Sequence, residues 1–335
     1  MGAPTTALGT LRPEIAASFE EFGLEEDRRN FIGTRVAPVT EVMESGGAFG
    51  RIPIEQLLEN PDVARAPGTG YHRGKWKFEP DTYVTQEYGH EEPVDRNTAK
   101  KYRNYFDAEL IASKRAMDIV LRAAEVRWAA KIFNTTTWNG ASLTTNISVP
   151  WSTIASAVPI ADVEAAVNKV YDNSGVWPNT LILTKKAFRY LRRCDQIISL
   201  IKYSGNHNPT ASGITADVLA EVFDLEQVIV AGGTKNTAGK GPGIAATPAS
   251  LWDATKAMVC YVAPSGEMSD LSRPTLARTF HWDEDGSLIG GAFESYEDPA
   301  IRGQWYRCRH QVGEKIMYKE LGHLLTIDRG SPGPR

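Results

Sequence analysis

The sequence predicts an α+β protein, and three observations carry that prediction: a very long amphipathic helix at 104–134, an alternating α/β unit over 158–265, and a run of strands over 274–328. Alternating helices and strands build a sheet covered by helices, whereas a run of strands packs as a layer of its own. The 335 residues, 42% hydrophobic and 23% charged, suffice for sizeable cores. A net charge of −4 gives no drive toward nucleic acid, and no basic block stands out.

Residues 1 to 30 are polar and small and read as an arm that needs something to lie on. FIGTRVAPVTEVM (31–43) is strand-like, and Pro38 places it at a sheet edge or in an extended crossing before Gly46-Gly47 ends it. The stretch from Tyr71 to Pro93 reads as two strands, 71–78 and 82–88, joined by a turn at Glu79-Pro80-Asp81. Along the first of them Tyr71, Arg73, Lys75 and Lys77 share one face, and His72, Trp76 and Phe78 the other. A lone hairpin is at best marginally stable, so this one must lean on its own domain or on another subunit.

The helix is the strongest local signal. Phe106, Leu110, Met117, Leu121, Ala124, Trp128 and Ile132 recur at helical spacings as one apolar stripe. Asp107, Lys114, Arg115, Asp118, Arg122, Glu125 and Lys131 fall mainly elsewhere, as a solvated or partner-facing surface requires. At 1.5 Å per residue this helix spans roughly 45 Å. TTTWNG, with Gly140, stops it.

Beyond it come helix 159–172, strand 180–183, a helix opened by Thr184 that runs to 202, a short helix 215–223, strand 227–232, a glycine-rich loop and strand 257–263. The closing segment reads as TLARTFHW and SLIGGAFESYE joined by a hairpin turn at Asp283-Glu284-Asp285-Gly286, then GQWYRCRHQVGEKIMYKEL and HLLTID.

The glycine loop at 232–243 looks at first like a phosphate cradle, which needs G-x-x-x-x-G-K-[ST] between a strand and a helix. Gly233 and Gly239 are one residue too far apart, Gly241 and Pro242 stand where a hydroxyl and a helix should follow, and a strand comes next. Nucleotide chemistry is therefore not expected. The Asp283–Gly286 acids lack the alternation of a calcium loop. The histidines show no metal spacing, and Cys194, Cys260 and Cys308 form no C-x-x-C pair. Cys194 is placed mid-helix beside Arg192 and Arg193, which do not face it. No catalytic, cofactor or metal site is expected, and no stretch is apolar enough to span a membrane.

The order of elements resembles the major capsid proteins of tailed bacteriophages, the Hong Kong 97-type fold. Local wording carries it too: Asn236-Thr237-Ala238-Gly239-Lys240-Gly241, then Leu251-Trp252-Asp253-Ala254, then Cys260-Tyr261-Val262-Ala263-Pro264, with the run 178–193 similar to the family's strand and helix. The resemblance implies an N-terminal arm (1–35), P-domain strands (36–64), an E-loop hairpin (65–98), P-domain with spine helix (99–157), an α/β A-domain (158–265), returning P-domain strands (266–328) and a disordered tail (329–335).

By the same resemblance the function is structural and not enzymatic: self-assembly, as hexamers and pentamers, into an icosahedral head enclosing double-stranded DNA. The DNA is contacted non-specifically. The implied location is the virion, with assembly in the host cytoplasm. The implied partners include a portal, a separate scaffold protein and a decoration protein. The expected inter-subunit contacts are Tyr71, Arg73, Lys75, Trp76, Lys77, Phe78 and Tyr83. The alternatives are an encapsulin-type compartment and, less favoured by the loop spacing, a nucleotide-dependent enzyme.

Overall fold

The computed structural model describes residues 10–11, 31–51, 53, 56, 59–60, 62–74, 77, 79–102, 108–203, 213–238, 245, 247–263, 273–283 and 289–328. The chain begins with β1 (Thr10–Leu11), α1 (Gly33–Val36), β2 (Val39–Val42), β3 (Gly46–Arg51), β4 (Glu79–Val84), β5 (Gln86–Asp95), α2 (Arg96–Tyr102) and the long α3 (Ala108–Ile132). It continues through β6 (Thr144–Asn146), α4 (Pro159–Ser174), β7 (Thr180–Thr184), α5 (Lys185–Leu191), α6 (Asp195–Tyr203), α7 (Ala216–Val222) and β8 (Gln227–Ala231). It closes with β9 (Thr234–Asn236), β10 (Pro248–Ser250), β11 (Lys256–Cys260), β12 (Ala277–Trp282), β13 (Ala292–Asp298), β14 (Gly303–Ile316) and β15 (Gly322–Thr326).

Two sheets carry the architecture. In the first, β14 is the spine strand: β5 runs along one flank, while β13 and β12 lie end to end along the other, followed outward by β1 and β2. The second has the order β6-β15-β11-β7-β8. Its strands β15, β11, β7 and β8 carry apolar residues on both faces, as a doubly covered sheet requires. Leu181, Leu183, Ala257, Val259 and Leu325 pack with α4 to α7, including Val163, Val170, Ile197 and Leu219. Ile182, Ile229, Met258, Cys260 and Leu324 face the end of α3 through Trp128, Ile132, Trp138 and Trp252. A smaller cluster of Ala116, Met117, Val120, Phe293 and Cys308 seats the middle of α3 on the first sheet.

Helix α3 thus joins both sheets. Its described span is Ala108–Ile132, with 103–107 outside the described residues. The indole N–H of buried Trp138 donates to the Ile132 carbonyl (2.7 Å), satisfying one of the acceptors a helix end leaves open. Met117, Trp128 and Ile132 of the expected stripe are buried; Leu110, Leu121 and Ala124 are half-buried, and Phe106 lies outside the described residues.

Several expectations are corrected. Residues 31–43 are not one strand: 33–36 form a helical turn, and only 39–42 are extended, at the sheet edge that Pro38 suggested. Gly46-Gly47 does not end a strand but opens β3. The hairpin pairs β3 with β4 across Gly46↔Val84 to Arg51↔Glu79, so Glu79-Pro80-Asp81 is strand and not turn. Residues 71–74 and 77 carry no strand, and β5, expected as E-loop, pairs with β14 over its full length. Proline is tolerated in β4 because the two-stranded ribbon has open edges.

Strands β12 and β13 make no hairpin, since each pairs with β14 and neither with the other; 284–288 lie outside the described residues. The expected helix 184–202 breaks into α5 and α6, with buried Cys194 in the break. The last strand, expected with the P-domain, pairs instead with β11 and β6 in the second sheet. Its Leu324 and Leu325 supply apolar side chains to both faces of that sheet. The glycine loop at 239–244, the tail and most of the arm lie outside the described residues.

Candidate assembly surface

The β3–β4 ribbon is fastened at its root. Tyr83 stacks on Phe280 of β12 (centroids 4.7 Å apart), and Phe49 tilts against the same ring at 6.0 Å. Lys315 of β14 donates to the Asp81 carboxylate and the Thr82 carbonyl. Burial alone would raise the Asp81 carboxyl; Lys315, the Thr82 N–H and Arg51 outweigh it and hold it below its ordinary value. Arg51 reaches the Met317 carbonyl (2.9 Å) and Glu79 (3.0 Å). Buried Thr85 closes the base through Ser45 (2.8 Å) and Gln311 (3.2 Å).

Beyond this root the segment 62–74 is exposed at every residue. Its order is local: Arg65 donates to the Thr69 carbonyl (2.7 Å) and to the Tyr71 hydroxyl (3.1 Å), and its guanidinium lies 4.5 Å from the Tyr71 ring centroid. Asp62 accepts from the Ala64 N–H (2.9 Å), and Thr69 donates to the Ala66 carbonyl (2.8 Å). Val63 and Tyr71 are nonetheless 82% and 74% exposed. Exposed contacts of this kind contribute little to stability.

The expected contact residues therefore separate. Tyr71, Arg73 and Lys77 are exposed on the distal segment, with the Lys77 N–H donating to Gln56 (2.9 Å). Tyr83 belongs to the root and is engaged within its own chain. Lys75, Trp76 and Phe78 lie outside the described residues.

A second feature escaped the sequence reading. Glu125, expected on a solvated or partner-facing surface of the helix, is 3% exposed. Its carboxylate accepts from the Ile32 N–H (2.8 Å), the Gly33 N–H (2.8 Å) and the Trp252 indole N–H (2.6 Å). One side chain thus ties α3 to the start of α1 and to the turn before β11. Burial raises its pKa, against the lowering by these three donors. Glycine is required at 33, because a Cβ there would stand 2.8 Å from both the Glu125 carboxylate and the Trp128 ring. The signal was present: Leu121, Glu125, Trp128 and Ile132 follow spacings of four, three and four, inside the apolar stripe.

Nearby, Glu314 of β14 accepts from Arg127 (2.6 Å) and lies 3.6 Å from Lys131, so it clamps α3 to the first sheet. Between them is a cavity of about 420 Å³ lined by Leu121, Glu125, Trp128 and His310, among others. Burial drives the His310 pKa down to about 4, with Arg127 and His281 pushing the same way against the Ile289 carbonyl. Burial also lowers His281, whose ring nitrogens have no hydrogen-bond partner among the described residues.

A histidine held below its ordinary 6.5 leaves the unfolded chain to take the proton first, so stability present above pH 6.5 is lost as pH falls toward 4. For His310 the full effect is about 3 kcal/mol. Glu125 acts in the opposite sense, since its raised pKa makes the folded chain the better proton acceptor. Melting curves between pH 7.5 and 4.5 should therefore be less steeply pH-dependent for His310→Phe than for the parent; equal slopes would contradict this.

Two layers joined by a long helix, with a rooted ribbon carrying an exposed loop, define a class: the chain has the Hong Kong 97-type capsid fold. It is similar over 96% of its length, and 98% of the other chain, to a phage-related protein from Bordetella bronchiseptica RB50 (21% identity, TM-score 0.66). It also resembles the capsid structure of cyanophage P-SCSP1u (11% identity, TM-score 0.55, 87% and 86% covered) and the mature capsid of bacteriophage PhiM1 (13%, 0.54, 90% and 88%). A curated relative is the major capsid protein of Burkholderia phage BcepMu, 24% identical over 207 residues. That match covers 60% of this chain and 63% of the relative's length. No family model matches the sequence. Among the described residues no helix is long and apolar enough to cross a membrane, and no group of three or more His, Cys, Asp or Glu side chains is placed to hold a metal ion.

Proposed function

We propose that this chain is a major capsid protein whose copies assemble, as hexamers and pentamers, into an icosahedral head around packaged double-stranded DNA. The observation that carries this reading is the ribbon: a firmly rooted arm holding a segment, 62–74, that is exposed throughout and has no core of its own. Such a segment gains buried surface by lying on a neighbouring copy. The fold shared with two phage capsids over 87% and 90% of the chain supports it.

In this reading the first sheet and α3 are the P-domain, the second sheet with α4 to α7 is the core of the A-domain, and the ribbon with its loop is the E-loop. Tyr71, Arg73 and Lys77 contact a neighbour, together with Lys75, Trp76 and Phe78 of the same loop, while Tyr83 holds the root. The role is structural and not catalytic. The particle forms in the host cytoplasm and becomes the virion head, with a portal, a separate scaffold and a decoration protein as further partners. DNA is contacted non-specifically, in keeping with a net charge of −4.

Expression with and without a co-expressed scaffold protein, followed by mass photometry and negative-stain microscopy, tests this. Shells, tubes or ring-shaped capsomers are expected. A monodisperse monomer at all concentrations and salts would contradict it, and particles filled with a protein cargo instead of DNA would replace the head with a compartment.

A further inference from the structure

Charge in the A-domain is not evenly spread, although the whole-chain balance conceals it. Helix α5 and the turn after it carry Lys185, Lys186, Arg189, Arg192 and Arg193 with no acid among them. Lys185, Lys186, Arg189 and Arg193 are exposed, and at 100° per residue the three within the helix fall on one side of it, opposite buried Ala187 and Leu191. Helix α7 and its turn carry Asp217, Glu221, Asp224 and Glu226 with no base, all four exposed. Asp217 and Glu221, four residues apart, share a face.

Within the chain Glu226 accepts from the Asn179 amide (3.1 Å) and Lys186 lies 6.0 Å from the Tyr190 ring centroid, but neither patch is neutralised by opposite charge. Among the described residues, none of these exposed cations and none of the four carboxylates forms an ion pair. Parallel pairing of β7 with β8, from Thr180↔Gln227 to Thr184↔Ala231, separates α5 from the acids of the turn after α7. Lys185 and Lys186 leave one end of that strand pair, and Asp224 and Glu226 enter at the other, on the order of 13 Å away by strand rise.

We propose that the basic face of α5 in one copy docks against the acidic face of α7 in the next copy around a ring. This rests on the shell reading above and names the surface through which A-domains meet. A rotational ring is a head-to-tail contact, which needs two different patches on each subunit that fit one another. Two patches of opposite sign and near-equal charge on one domain meet that requirement, and neither meets it alone. Their complementarity sets register and encounter rate, and salt weakens it.

Charge reversal with rescue tests the pairing. K186E/R189E and D217K/E221K, each made in the full chain and checked for an unchanged melting temperature, should each lower particle yield about tenfold or more. The fourfold variant, with both patches exchanged, should return to within about twofold of the parent. Mixing the two double variants should restore only rings with an even number of copies, because the two kinds must alternate. Normal particle yield from either double variant, or a fourfold variant no better than the doubles, would overturn the pairing. Normal shells from K186E/R189E that fail to retain DNA would assign α5 to the packaged nucleic acid and also overturn it. A parent chain that makes no particle would instead contradict the shell reading, and the pairing with it.

Discussion

Replacing residues 62–74 with a Gly-Ser linker of equal length should leave a folded, soluble chain that closes no shells. The exposed segment contributes no core, so its loss should change the stability of the chain by less than about 1 kcal/mol. The root, with Tyr83 on Phe280 and Lys315 on Asp81, stays intact. What disappears is the apolar and cationic surface of Val63, Tyr71 and Arg73 that a neighbour would cover. A cut from 71 to 88, the hairpin as the sequence alone draws it, would not make this test. It would remove β4 and the start of β5, and with them part of the first sheet. Sedimentation and microscopy of the linker variant decide the matter: closed shells at the parent's yield would show that the loop is not an inter-subunit clamp.

Glu125→Leu should be among the most damaging single changes in the chain. Leucine fills similar space but strands three buried donors, the Ile32 and Gly33 N–H groups and the Trp252 indole. Each unsatisfied donor costs about 1–3 kcal/mol, so the sum over three is on the order of 3–9 kcal/mol. That is a large part of the 5–15 kcal/mol by which a typical fold is stable, and for a chain of this length it corresponds to a fall in Tm on the order of 5–10 °C. Glu125→Gln should lie between, because its amide oxygen accepts from one or two donors while its NH₂ group meets the third. Thermal unfolding of the unassembled chain measures the series, and a leucine variant as stable as the parent would contradict the clamp.

Much of this was legible in the sequence. The spine helix declared itself because Met117, Trp128 and Ile132 keep helical spacing over many turns. The α/β unit declared itself because the TLIL and VIVA runs are bounded by helix starts such as Thr184 and Thr215, whose hydroxyls accept from Ala187 (3.3 Å) and Val218 (3.4 Å). The ribbon did not. Its first strand, GGAFGR, has three glycines and low strand propensity, and its partner follows only after 27 residues of intervening chain, between Arg51 and Glu79, beyond the reach of local pattern.

Pro80 and Asp81 then supplied a plausible turn that tertiary pairing overrode. Asp283–Gly286 misled in the same way, because β12 and β13 find their common partner in β14, later in the chain. Glu125 was misread through its charge: a carboxylate inside an apolar stripe was assigned to a solvated or partner-facing surface, when its spacing pointed to burial with partners in its own chain.

Cryo-electron microscopy of particles made with the scaffold tests the account most directly. It predicts closed icosahedral shells in which residues 62–74 of each copy lie over an adjacent copy, with Tyr71 covered and Tyr83 still stacked on Phe280 of its own chain. A discrete, non-shell oligomer, or shells in which 62–74 touch only their own chain, would contradict it.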